Sequence, residues 1–98
     1  MKLEEWRKEI DTIDEEIIKL IQQRARVVKK IGSLKAKAGL PIIDNNREDS
    51  VILNICSKNE GIISNESLTG IYRKIILESR KVQAEEIKKQ NRKGVEIY

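Results

Sequence analysis

From Leu3 to Ala38 the chain runs without a proline or a strong turn signal. Its apolar residues recur at Leu3, Trp6, Ile10, Ile13, Ile17 and Leu20, then at Val27, Ile31 and Leu34. Intervals that alternate between three and four residues mark a helical seam, not a strand. Arg24 fills the gap in that seam. A helix of this length spans roughly 50 Å, whereas a compact domain of 98 residues has a radius of gyration of about 13 Å. The helix overshoots any globule the chain can make alone, so its seam calls for a second chain. Gly39 followed by Pro41 is the expected stop. Gly32 falls inside the helix at some cost relative to alanine and leaves room for a close approach of backbone or ligand.

A short loop, Leu40 to Ile43, leads to Asp44-Asn45-Asn46, all good N-cap residues. A second helix is expected to about Ser57, with Val51, Ile52, Ile55 and Cys56 on one side. Lys58-Asn59-Glu60-Gly61 reads as a turn. Ser64 or Asn65 then caps a third helix to about Lys93, closed by Gly94, with Val95 to Tyr98 as a loose tail. Its stripe is Leu68, Ile71, Tyr72, Ile75, Ile76, Val82 and Ile87. Ser79 and Gln83 fall on that stripe at i, i+4 spacing, hence on one face. The expected fold is all-α: one long, one short and one long helix forming an intertwined helical homodimer.

Composition narrows the chemistry. Charged residues make up 37% of the chain, the net charge is +4 and the pI is about 9.3, which suits an anionic partner. Nucleic acid, a membrane surface and a small acid all qualify. The basic cluster Lys88, Lys89, Arg92 and Lys93 has no interleaved aromatics, so it is a poor single-strand binder and reads as a solvated helix end. There is no histidine and one cysteine, Cys56. An intramolecular disulfide, a Cys/His metal set and a histidine triad are therefore ruled out. The segment MKLEEWRKEID offers no signal-peptide or membrane-span pattern. A cytoplasmic protein is expected.

The anomalies are polar groups on apolar stripes: Arg24, Ser79 and Gln83. A buried charge without a partner is costly, so Arg24 requires either a buried carboxylate or an anionic ligand. Lys35 lies 11 residues further on, three helical turns away on the same face and a rise of roughly 16 Å. Two long cationic side chains leaning together there can hold a small dianion. Arg7 lies 17 residues before Arg24, roughly 25 Å along the helix and on a different face. Only in an antiparallel dimer could it approach the Arg24 region, and then from the partner. Arg47 and Glu48 fall in the first turn of the second helix, beside the cap Asp44. Capping and surface pairing are their plainest reading.

Taken in order, Arg7 in WRKEID, Arg24 in QQRARVV, Lys35 in GSLKAK, the stretch PIIDNNRE and the spacing SRKVQ resemble the all-helical chorismate mutases. The resemblance covers about Lys2 to Lys89 and implies a mutase domain over residues 1–90 with a tail over 91–98. It implies the Claisen rearrangement of chorismate to prephenate in phenylalanine and tyrosine biosynthesis, by a homodimer with shared sites, no cofactor or metal, and no nucleic-acid or membrane partner. By resemblance, Arg24 and Arg47 bind one substrate carboxylate and Arg7 of the other subunit binds the second. Lys35 and Gln83 meet the ether oxygen, Glu48 and the backbone at Asp44 meet the ring hydroxyl, and Ser79 stands near a carboxylate. A pericyclic reaction needs a folded conformer held by charge clamps and donors aimed at a developing oxyanion, which Arg, Lys and an amide supply. Rival readings are an isochorismate-pyruvate lyase or an amino-chorismate mutase on the same scaffold, and a non-catalytic basic helical dimer.

Overall fold

In the computed structural model, which describes residues 2–96, the chain forms three helices: α1 (Leu3–Ala38), α2 (Asn45–Ser57) and α3 (Asn65–Glu96). No strand occurs among the described residues. Local chemistry sets most of the boundaries. The Glu5 carboxylate accepts the Lys2 backbone N–H at 3.2 Å, and Glu4 and Glu5 place negative charge at the positive end of the α1 dipole. Gly39 ends α1 in the left-handed region at φ 66°, while the Leu40 N–H closes on the Lys35 carbonyl at 2.9 Å. Asp44 caps α2, its Oδ1 accepting the Arg47 N–H at 3.0 Å. Ser64, not Asn65, caps α3, its hydroxyl accepting the Ser67 N–H at 3.1 Å.

One boundary differs from expectation. The third helix does not close at Gly94 but continues to Glu96. A glycine within a helix costs only about 1 kcal/mol relative to alanine, and no proline follows to enforce a stop. The end of the expected tail, Ile97 and Tyr98, lies outside the described residues.

Long-range contacts define the topology. Arg24 meets Ser79 and Ser33 meets Gln90, so α1 and α3 run parallel. Glu48 meets Arg80 and Cys56 meets Thr69, so α2 runs antiparallel to α3. Helix α3 packs on both α1 and α2, which do not pack on one another. The result is a slab of 64 × 28 × 14 Å with a radius of gyration of 17.6 Å. Its thickness barely exceeds one helix of about 10–12 Å.

Such a slab has little interior. Val28 and Ile76 are its buried hydrophobic side chains among the described residues, and Gly32 and the polar Gln83, which lie against each other, are buried as well. Helix α1 turns Val28 and Gly32 toward α3 and leaves the N-terminal part of its heptad seam, Leu3 to Leu20, uncovered. Leu3 and Leu20 are each 62% exposed, and Trp6, Ile10, Ile13 and Ile17 are also exposed. The seam is therefore not satisfied within the chain. Among the described residues no helix is long and apolar enough to cross a membrane.

Candidate active site

A cleft of about 290 Å³ opens where the three helices converge. Arg24, Val28, Ile31 and Lys35 line it from α1, and Ile42 and Asp44 from the following loop. Arg47, Glu48 and Val51 come from α2, and Ile76, Ser79, Arg80 and Gln83 from α3. Aliphatic walls surround cationic and amide groups, so charges inside interact more strongly than in open water.

Seven of the eight residues singled out in the sequence line this one cleft: Arg24, Lys35, Asp44, Arg47, Glu48, Ser79 and Gln83. Arg24 and Lys35 do share a face. The Arg24 guanidinium donates to the Ser79 hydroxyl, which in turn donates to the Ile75 carbonyl at 2.9 Å. Among the described residues of this one chain Arg24 meets no carboxylate. Lys35 is half-buried, and its ammonium donates to the Ile42 carbonyl at 2.8 Å. It thereby fastens the loop that leads into α2 and leaves two further N–H donors unspent.

Gln83 is buried. Its Nε2 donates to the Ser79 carbonyl at a long 3.4 Å, which fixes the amide's orientation because the reverse would set two acceptors face to face. One N–H remains to donate elsewhere, and Oε1 is buried without a partner. Gly32 is what lets the Gln83 backbone come this close to α1.

Glu48 does not take the surface-pairing role that its position in a first helical turn suggests. It reaches across to α3, where Arg80 grips it with a fork: Nε donates to Oε2 at 2.9 Å and Nη2 to Oε1 at 2.5 Å. The Arg80 hydrogen bonds hold the Glu48 carboxyl below its ordinary range against the opposing effect of burial. The charges of Arg80, Arg73 and Lys35 add to the lowering. Arg80 itself is raised by the same hydrogen bonds. Sequence reasoning passed over Arg80, although a signal was present: it lies one turn after Ile76 on the buried face, a charge on an apolar stripe like Arg24.

Arg7 is the residue that the chain does not bring in. It lies on the outer part of α1, exposed, and pairs with Glu4 at 2.8 Å. Among the described residues no group of three or more His, Cys, Asp or Glu side chains has the arrangement to hold a metal ion.

Residues 6–84 match the sequence profile of chorismate mutase type II. The chain belongs to that family. It is 46% identical over 79 residues to a bifunctional chorismate mutase/prephenate dehydratase of Aquifex aeolicus, an alignment covering 76% of this chain and 22% of that protein. It is 39% identical over 61 residues to a chorismate mutase of Methanocaldococcus jannaschii, covering 59% of this chain and 62% of that one. The chain thus spans about a fifth of the first relative and under two thirds of the second. Among solved structures, form II of the Thermus thermophilus chorismate mutase superposes with a TM-score of 0.83 at 28% identity, over 86% of this chain and 96% of that one. The Helicobacter pylori chorismate mutase in complex with prephenate gives 0.81 at 31% identity, over 88% and 93%. Three helices in this order are therefore the family's architecture, and the cleft lies among residues that the family profile spans.

Proposed function

We propose that this chain is an isomerase that rearranges chorismate to prephenate, acting as a homodimer whose two sites each draw on both subunits. The observation that carries this reading is the cleft itself. Three cations from two helices, Arg24, Lys35 and Arg47, converge there with a buried amide, Gln83, that still has donor and acceptor capacity. The H. pylori relative's complex with prephenate points to the same ligand class.

Chorismate is a flexible dianion whose rearrangement makes one C–C bond and breaks one C–O bond without help from a nucleophile. Arg24 and Arg47 hold one carboxylate, with Ser79 steadying the Arg24 guanidinium. The ring hydroxyl is met by Glu48 and the Asp44 backbone. Lys35 and the free N–H of Gln83 donate to the ether oxygen, where negative charge grows as the C–O bond lengthens. Arg7 of the partner subunit supplies the cation for the second carboxylate. Holding the folded conformer contributes through orientation, and the two donors contribute selectively in the transition state.

The homodimer reading rests on the slab. An α1 seam of Leu3, Trp6, Ile10, Ile13, Ile17 and Leu20 is left exposed along roughly 26 Å of helix in a 64 Å molecule. Exposed apolar stripes of this length mark interaction surfaces. Pairing two α1 helices antiparallel covers both seams and carries each Arg7 toward the other chain's Arg24. The resemblance further implies a cytoplasmic step in phenylalanine and tyrosine synthesis.

The deciding experiment is loss of chorismate absorbance with purified protein, with prephenate identified as product. Release of pyruvate from isochorismate instead would move the chain to the sister lyase activity. No turnover of chorismate by a folded dimer would overturn the proposal.

A further inference from the structure

The Glu48–Arg80 fork poses an electrostatic problem that the roles proposed above do not solve. A site for a dianion contains a carboxylate. Unpaired, that carboxylate would repel the substrate inside a low-dielectric cleft, where charges interact several-fold more strongly than in water. Yet a hydroxyl acceptor is needed, and a neutral amide is a weaker one than a carboxylate.

We propose that Arg80 is a positioning residue for the reaction, aiming the Glu48 carboxylate and cancelling its charge so that a hydroxyl acceptor can stand in a dianion site. This role rests on the chorismate reading. The fork occupies one acceptor position on each Glu48 oxygen. A carboxylate has about four such positions, so two remain for the substrate hydroxyl. The pair adds no net charge to a cleft whose other cations are left for the substrate.

The geometry is specific to a guanidinium. Two parallel N–H bonds fix both the distance and the plane of the carboxylate, which a lysine ammonium cannot do. Glu48 is 13% exposed and Arg80 31%, so neither end is a loosely solvated surface charge. Other charges face Glu48 from the surrounding elements, Lys35 on α1 and Arg73 on α3, but neither hydrogen-bonds it. Arg80 also sits between Ser79 and Gln83 on α3, so the fork ties α2 to the segment that carries the amide. The lowered proton affinity of Glu48 agrees with a carboxylate held ionised in place.

The test is a double-mutant cycle read as kcat and KM for chorismate, with the Glu48 carboxyl followed by carbon-13 NMR titration in the substrate-free protein. Arg80→Gln in the wild-type background should raise KM and lower kcat/KM by about tenfold or more. In a Glu48→Gln background the same change should cost less than about threefold, since there is no charge left to cancel or aim. Arg80→Lys should recover part of the loss through charge alone, and the Glu48 midpoint should rise in Arg80→Gln. Should Arg80→Gln fail to fold, Arg80→Lys carries the same comparison in both backgrounds. Equal losses with and without Glu48, wild-type kinetics in Arg80→Gln, or an unmoved Glu48 midpoint alongside normal wild-type turnover would each overturn the role alone. Absence of chorismate turnover by the folded wild-type dimer would overturn the functional reading and this role with it.

Discussion

Gly32 on α1 lies directly against Gln83 on α3: a Cβ on the glycine would sit 3.0 Å from the Gln83 Cα and 3.4 Å from its Cβ. The atom in the way is backbone, which cannot swing aside. Helix α3 must therefore shift if Gly32 gains a side chain, and the shift is taken up at the amide proposed to serve the ether oxygen.

Two opposing effects then decide the outcome of Gly32 substitutions. Alanine gains about 1 kcal/mol of helix propensity, while crowding a packed contact costs about 1–3 kcal/mol. Gly32→Ala should change thermal stability little yet lower turnover, because the displacement falls on Gln83. Gly32→Val, bulkier and β-branched, should lower both. Thermal melts beside chorismate assays check this. Full activity in Gly32→Val would mean that the two helices have slack at this point.

Lys35 combines a structural bond with a proposed chemical one. Losing its bond to the Ile42 carbonyl should cost on the order of 1 kcal/mol. Losing a donor to a developing oxyanion should cost about a hundredfold in turnover. Lys35→Ala is expected to show the small stability loss and the large kinetic one together. A variant with turnover near normal would leave Lys35 as a loop fastener only.

The pH dependence of Glu48 has a definite sign. Its folded-state pKa is lowered, so the stability from its pair with Arg80 is present above the ordinary value of 4.5 and is lost as pH falls through the lowered one. Denaturant midpoints of wild type and Glu48→Gln should differ most at neutral pH and converge in acid. A gap that stays constant down to about pH 3 would show that the carboxylate is not what the fork stabilises.

Gln83→Glu tests the donor. An amide donates at every ordinary pH, whereas a carboxylate only accepts. Wild-type turnover should be flat from about pH 6 to 9, because the chain has no histidine and the cleft holds no cysteine. The variant should be nearly inactive at about pH 8 and recover on acidification as the new acid gains its proton. Undiminished turnover by the variant in mild alkali would leave Gln83 a packing residue.

Arg7 and Arg24 test site sharing. Each single alanine variant should be a poor enzyme. Mixing and refolding the two should create heterodimers with one site carrying both defects and one carrying neither, and activity should return. Heterodimers that form without recovery would place the Arg7 role within its own chain.

How much of this was legible in the sequence follows the reach of each interaction. Caps and stops are local, so Asp44, Ser64, Gly39 and Pro41 announced their helix ends, and α1 begins and ends where its pattern says. Gly94 misled because one glycine without a following proline does not end a helix. The cleft residues stood out as polar breaks in apolar stripes, which located Arg24, Ser79 and Gln83. Whether Arg24 faced a carboxylate or a ligand was undecidable, since its neighbour Ser79 lies 55 residues away. The Glu48–Arg80 fork was hidden for the same reason: it depends on how α2 registers against α3, which no spacing along either helix encodes.

Helix α3 is the one element on which both other helices pack, and it is the last of the three to be synthesised. A nascent chain that has completed α1 and α2 is therefore a pair of amphipathic helices with nothing to close upon. The Arg24–Ser79 contact waits until α3 is about half made, and the Ser33–Gln90 contact until it is almost whole. Truncation within α3 should thus not trim the fold by degrees but withdraw the keystone. During translation the α1 seam stays open to whatever apolar surface it meets first.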